Sequence, residues 1–64
     1  MVTAPLKIGR HEWRIVVNDH VVLYAWRPIG APDWRHTNEW PRDLPAGLKR
    51  LYALNVQDIM EAMQ

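Results

Sequence analysis

Side chains that commonly act as nucleophiles are scarce in this sequence of 64 residues. It contains no cysteine and no serine, so covalent catalysis would fall to a threonine, a lysine, a tyrosine or a carboxylate. None of these stands at a readable spacing from a group that would activate it. The three glycines lie far apart, so there is no glycine-rich phosphate loop. We therefore expect a protein that is not an enzyme and that uses no cofactor.

The three histidines are the remaining candidates for metal binding. His36 follows Asp33 by three residues, which is the nearest approach to a ligand pair, whereas His11 and His20 are isolated. No spacing matches a metal signature, and the lack of cysteine excludes a thiolate zinc site. We expect the histidines to lie on the surface or in turns, with no bound metal.

Tryptophan closely followed by arginine is the most unusual feature of the chain. The pattern occurs at Trp13-Arg14, Trp26-Arg27, Trp34-Arg35 and Trp40-Pro41-Arg42. Tryptophan and arginine are the residues most enriched at the energetic centres of protein interfaces. We expect Trp13 and Trp26 to belong to the core, with their neighbouring arginines facing out, and Trp34 and Trp40 either to plug the core or to face a partner.

These patterns give two hypotheses about the site. The first is a surface that binds a protein, made of Trp34, Arg35, Trp40, Arg42 and the apolar Leu54, which we expect to be exposed. The alternative is nucleic-acid binding through base stacking and phosphate contacts, by Trp34, Arg35, Arg42, Lys49 and Arg50. A net charge of +1 argues against the alternative, because phosphate neutralisation supplies much of the affinity of such proteins.

The element that would position these side chains is a β-hairpin over residues 10–27. Two runs rich in valine, tryptophan and tyrosine, residues 13–17 and 21–26, flank Asn18-Asp19-His20. A two-residue turn at Asn18-Asp19 pairs Val17 with His20, and one face then holds Trp13, Ile15, Val17, Val22, Tyr24 and Trp26. A three-residue loop instead pairs Val17 with Val21, and every side chain of the second strand then lies on the opposite face. We favour the first register because it gathers both tryptophans and the tyrosine.

The segments on either side of the hairpin give weaker signals. Residues 1–9 are predicted to be a flexible start or to contain a short strand around Leu6-Lys7-Ile8. Residues 28–43, rich in proline and tryptophan, are predicted to form a loop. Within that loop, residues 33–39 form either a short third strand or one helical turn. Loops of this length are often functional.

The C-terminal part has a helical period. One apolar stripe contains Leu48, Leu51, Tyr52, Val56, Ile59, Met60 and Met63, which predicts an amphipathic helix over residues 44–63 packed on one face of the hairpin. Asn55 followed by Asp58 resembles a helix cap and would split this helix. We favour one helix, straight or bent at Asn55, because burial at roughly 1.5–3 kcal/mol per large apolar side chain outweighs dipole effects of about 0.3–1 kcal/mol.

Length and composition indicate one small α+β domain over residues 1–64. A core of this size barely offsets the conformational entropy lost on folding, which is compatible with a homodimer or an obligate partner but does not require one. We expect a protein partner. No apolar run approaches a membrane span and the first residues lack the apolar core of a signal peptide, so we expect a cytoplasmic protein. The expected function is that of a small binding module, such as a phage or mobile-element adaptor or inhibitor that occupies a surface of a larger host protein.

Overall fold

The computed structural model describes residues 1–38 and 46–64, which form an antiparallel sheet packed against helices. The sheet has four strands in the order β1-β2-β3-β4, namely β1 Leu6–Ile8, β2 His11–Asn18, β3 Val21–Pro28 and β4 Arg35–Thr37. The helices are α1 Ala46–Leu54 and α2 Val56–Ala62. The predicted α+β class is confirmed. The prediction of two or three strands is wrong, because short strands extend the hairpin on both sides.

The central hairpin turns at Asp19-His20, whose φ angles are 51° and 63°. Two successive left-handed residues make the kind of two-residue turn whose twist matches that of the strands. Asn18 therefore pairs with Val21 and Val17 with Val22, so both predicted registers are wrong. The turn lies one residue later than the favoured prediction, and the side chain of His20 donates a hydrogen bond to the carbonyl oxygen of Met63 at 2.8 Å.

The predicted apolar face of the hairpin is nevertheless confirmed. The observed pairing differs from the favoured register by two residues, and a shift of two leaves every side chain on its original face. The pairs that meet on this face are Trp13 with Trp26, Ile15 with Tyr24, and Val17 with Val22. The observed turn thus sets large apolar side chains opposite one another, where the favoured register would have set Val17 opposite His20.

Residues 1–3 lie along β2 and continue the edge of the sheet that β1 begins. The amide of Val17 donates to the carbonyl oxygen of Met1 at 2.8 Å, and the amide of Thr3 donates to that of Ile15 at 2.9 Å. The amide of Ile15 in turn donates to Oγ1 of Thr3 at 2.9 Å. Of the two predictions for residues 1–9, the strand is the one observed, at Leu6–Ile8.

The far edge of the sheet is β4, which lies inside the segment predicted to be a loop. Arg35 pairs with Trp26 and Thr37 with Tyr24, so of the two alternatives for residues 33–39 the short strand is the one observed, at Arg35–Thr37. The chain reverses before it at Gly30, whose φ of 89° favours glycine. Residues 39–43 of the predicted loop and residues 44–45 of the predicted helix lie outside the described part of the chain.

The core lies between the helices and one face of the sheet. Its buried members are Ile15, Val17 and Tyr24 from the sheet and Leu48, Leu51 and Ile59 from the helices. Burial, and then the neighbouring Tyr52, raise the pKa of Tyr24 above its ordinary value of 10.0. Neither helix in the described residues is long and apolar enough to cross a membrane.

The predicted single helix is wrong, because the chain breaks at Asn55. The side-chain amide of Asn55 donates to the carbonyl oxygen of Leu51 at 2.9 Å, and its backbone carbonyl accepts from the amide of Ile59 at 2.9 Å. The side-chain amide thus supplies a donor to a carbonyl group in the last turn of α1, and it makes no capping hydrogen bond to α2. The break also divides the apolar stripe, since α2 buries Ile59 but leaves Val56, Met60 and Met63 exposed.

Two neighbouring substitutions test how α2 is docked. Ile59 is fully buried, whereas the next residue, Met60, is 59% exposed. We expect Ile59→Val to lower the free energy of unfolding by about 0.5–1.5 kcal/mol, because it leaves a space in the core. Met60→Ala should change it by no more than about 0.5 kcal/mol. Urea denaturation followed by circular dichroism measures both, and the reverse order of effects would contradict this docking.

Candidate functional site

The face of the sheet turned away from the helices carries the most distinctive group of side chains. We call it the outer sheet face. It consists of Lys7 on β1, Glu12, Arg14 and Val16 on β2, Leu23, Ala25 and Arg27 on β3, His36 on β4, and Trp34, which packs against the arginines from the segment before β4. Strand residues alternate between the faces, so these side chains point away from Ile15 and Tyr24. In the described part of the chain, both helices pack on the opposite face.

The outer sheet face has a charged end and an apolar end. At the charged end, Glu12 pairs with Lys7 on one side and with Arg27 on the other. Two residues further along β2, Arg14 lies opposite Ala25. Toward the hairpin turn, Val16 lies opposite Leu23. This aliphatic pair is extended by Val2, which bridges to Val16, and by Val21, which is 44% exposed.

The ring of Trp34 contacts both arginines of this face. The guanidinium carbons of Arg14 and Arg27 lie 4.2 Å and 4.3 Å from the centre of its ring. A guanidinium over the face of a tryptophan is attracted by the ring quadrupole, by about 0.5–2 kcal/mol. Ala25 is fully buried although it points away from the helices, so this face has a small packed centre of its own.

Only some of the nitrogen atoms of these two arginines have an acceptor among the described residues. Nη2 of Arg27 lies 3.6 Å from Oε2 of Glu12, and both side chains are largely shielded from solvent. The Nε atoms of Arg14 and Arg27 are buried, and no described residue supplies an acceptor to either. A guanidinium stacked on a ring keeps its N–H groups in its own plane, where they can bind a carboxylate or phosphate in bidentate fashion. The cluster therefore presents two positively charged groups that donate hydrogen bonds in defined directions.

A second aromatic cluster lies on the helix side of the sheet. The rings of Trp13 and Trp26 are 6.1 Å apart, and His11 meets Trp26 edge-on at 5.6 Å. These three residues and Thr37 line an open cavity of about 440 Å³. The guanidinium of Arg35 lies over Trp26 at 5.2 Å. Arg35 and Trp34 therefore serve opposite faces of the sheet, although they are adjacent in sequence.

The residues predicted for the site are dispersed among several surfaces. Trp34 lies on the outer sheet face and Arg35 against Trp26. Leu54, predicted to be exposed, is 75% exposed at the end of α1, which confirms that expectation. Lys49 and Arg50 are exposed on α1, and Trp40 and Arg42 lie outside the described residues.

The structure brings Trp34 to two arginines that were not among the predicted site residues. Arg14 and Arg27 were expected only to face out from their strands, and they do face away from the helices. Glu12 was likewise not predicted. The signal that was available is the alternation of the hairpin, since positions 12, 14 and 16 must share a face once 13, 15 and 17 are assigned to the core. No group of three or more metal-ligating side chains occurs among the described residues.

Comparison with known proteins gives no relative of this chain. No protein family matches it, and no curated protein or solved structure shows significant similarity to it.

The packing of Trp34 on the arginines predicts an energetic coupling between distant parts of the sequence. In a double-mutant cycle of Arg14→Met with Trp34→Leu, we expect a coupling of about 0.5–1 kcal/mol in the free energy of unfolding, because each change removes the same cation–π contact. A control cycle pairs Trp34→Leu with Lys49→Met on α1 and should be additive within about 0.5 kcal/mol. Urea denaturation measures both. Additivity in the first cycle would show that the contact contributes nothing.

Proposed function

We propose that this protein is a small non-enzymatic module that binds a protein partner through the outer sheet face. The observation that carries the proposal is the composition of that face. An aliphatic pair, Val16 and Leu23, lies beside a tryptophan stacked on two arginines. Interfaces between proteins are enriched in aromatic residues and arginine, and most of their energy comes from a few such side chains.

The way these side chains are held favours binding. Arg14 and Arg27 belong to paired strands, and the ring of Trp34 restricts their guanidinium groups further. A free arginine loses much rotamer freedom when a partner immobilises it, which weakens binding by about 0.5–1.5 kcal/mol for each such side chain. Here most of that ordering has already occurred on folding. Sites on strands are also positioned more accurately than sites on loops.

Nucleic-acid binding is the less supported alternative. Its predicted contacts, Lys49 and Arg50, lie on α1, which packs on the side of the sheet opposite to Trp34. The ring of Trp34 is stacked on guanidinium groups, so less of it is available to a base. These features do not combine into the basic groove with open aromatic rings that tracks a single strand.

The lack of a nucleophilic or cofactor motif in the sequence supports a role in which the module occupies part of a larger protein's surface, as adaptors and inhibitors do. We include in the proposal that the larger protein is a host protein and that the module comes from a phage or other mobile element, acting in the cytoplasm.

Capture experiments with matched variants test the choice of surface. Val21 and Val56 are exposed to a similar extent, 44% and 39%, but lie on the outer sheet face and on α2 respectively. We expect immobilised wild type and Val56→Glu to retain the same protein from a host lysate, and Val21→Glu to retain at least tenfold less of it. Leu23→Ala should weaken capture as well. Loss with Val56→Glu alone would place the binding surface on α2 and contradict the proposal.

Titration with DNA tests the alternative. We expect the tryptophan fluorescence to stay unchanged when short single- and double-stranded DNA is added at low salt, because the cationic groups do not form one groove. Quenching that falls steeply between about 50 and 200 mM salt would indicate release of counterions from phosphates and would favour nucleic-acid binding. Arg50→Gln and Arg14→Gln would then show which side of the sheet contacts the DNA.

A further inference from the structure

We infer that the partner segment that docks on the outer sheet face is an acidic, partly apolar stretch of protein, whose carboxylates bind Arg14 and Arg27 while its apolar side chains cover Val16 and Leu23. This inference rests on the proposed function and adds the chemistry of the partner. It follows from the charge of the face, the donors that lack acceptors, and the position of the aliphatic pair.

The charge of this face is unbalanced. Around its charged end, the described strands carry Lys7, Arg14 and Arg27 and one carboxylate, that of Glu12. Glu12 lies near Arg27 at 3.6 Å, and no carboxylate of the described residues forms an ion pair with Arg14. Interfaces are arranged so that a positive patch meets a negative one. A partner surface with carboxylates at this position would restore the balance.

The donors of the cluster specify the kind of anionic group. The central carbon of each guanidinium lies over the ring of Trp34, and the N–H groups of a guanidinium lie along the edges of its plane. A carboxylate is planar and accepts two parallel N–H groups from such an edge. The Nε groups are buried and lack described acceptors, so a partner carboxylate would contact the Nη groups instead. A side-chain carboxylate of aspartate or glutamate is small enough to approach beside the tryptophan.

The apolar end of the face distinguishes an acidic protein segment from a nucleic acid. Val16 is two residues from Arg14 along β2, a distance of roughly 7 Å at the usual rise of a strand. Leu23 is four residues from Arg27 along β3, or roughly 13 Å. A phosphate backbone carries a charge at every nucleotide and has no aliphatic groups to place on this end. A protein segment can alternate carboxylates with leucine or valine over that span.

A second copy of the chain fits this surface less well. Two copies packed face to face would each bring the same surplus of positive charge. If their charged ends met, arginines would face arginines. If the copies were reversed, the arginines of each would lie on the aliphatic pair of the other and would be desolvated without partners. Among the described residues of this face, neither arrangement brings a carboxylate other than Glu12 to the arginines.

Selection from a random library of displayed 15-residue peptides, with the whole protein immobilised, tests the inference. We expect the enriched peptides to combine aspartate or glutamate with aliphatic residues. Their affinity, measured by fluorescence anisotropy of labelled peptides, should fall at least tenfold for Arg14→Gln and for Arg27→Gln. It should fall less for Arg14→Lys, which keeps the charge but not the fork of donors. Arg50→Gln, which removes an exposed arginine of α1, is the matched control and should bind as the wild type does.

The outcomes separate the inference from the proposed function. Enriched peptides that are neutral or basic, and whose binding is lost in Val21→Glu, would overturn the inference and leave the proposed surface standing. Peptides whose binding no outer-face variant changes would overturn both. Failure to enrich any peptide, or binding of oligo(dT) that depends on Arg14 and Arg27, would overturn the acidic-segment inference. Self-association in sedimentation that Val21→Glu abolishes would identify a second copy as the occupant. Circular dichroism of every variant confirms that it is folded under the conditions of the assay.

Discussion

The pairing of β2 with β3 is the constraint on which the rest of the structure depends. The left-handed turn at Asp19-His20 sets Ile15 opposite Tyr24, and the sheet contributes these two buried side chains to the core. The same pairing turns Arg14 and Arg27 to the other side, where they are close enough for one tryptophan ring to contact both. A slip of one residue on β3 would exchange its faces and destroy both the core and the arginine cluster together.

The two faces of the sheet are stabilised in different ways. One is covered by α1 and α2, which bury Leu48, Leu51 and Ile59 against it. The other is covered in the described residues by a single aromatic ring and by the long side chains of two arginines, yet Ala25 beneath them is fully buried. The methylene groups of arginine can cover apolar surface while the guanidinium stays near solvent. Among the described residues, the Trp34 cluster thus covers part of the face on which neither helix packs.

The sequence allowed the composition of the inner hairpin face to be predicted, but not the register. Alternation depends only on parity, and burying Ile15 requires that Trp13 and Val17 share its face. The position of the turn depends on which two residues accept a left-handed backbone, and His20 is a less obvious choice than Asn18. The prediction therefore missed the turn by one residue and still recovered the inner face.

The break between the helices and the composition of the candidate site could not be predicted from sequence patterns, for a different reason. The estimate that favoured one helix counted Val56, Met60 and Met63 as buried, and all three are exposed. Without that burial, the hydrogen bond from Asn55 to Leu51 is enough to end α1. The contact of Trp34 with Arg14 joins residues twenty positions apart and depends on the path of the chain through Gly30 into β4. No pattern within one strand or helix contains that information.

The arginine cluster is not the arrangement that packing alone would favour. Methionine or leucine at positions 14 and 27 would pack on Trp34 and cover Ala25 without leaving buried Nε donors that lack described acceptors. Replacing partly buried ionic groups by apolar ones of similar size is often neutral or stabilising. An apolar cluster, however, would present no directional donors to a partner. Under the function proposed above, partner carboxylates would accept hydrogen bonds from the Nη groups of Arg14 and Arg27, because the Nε groups are buried.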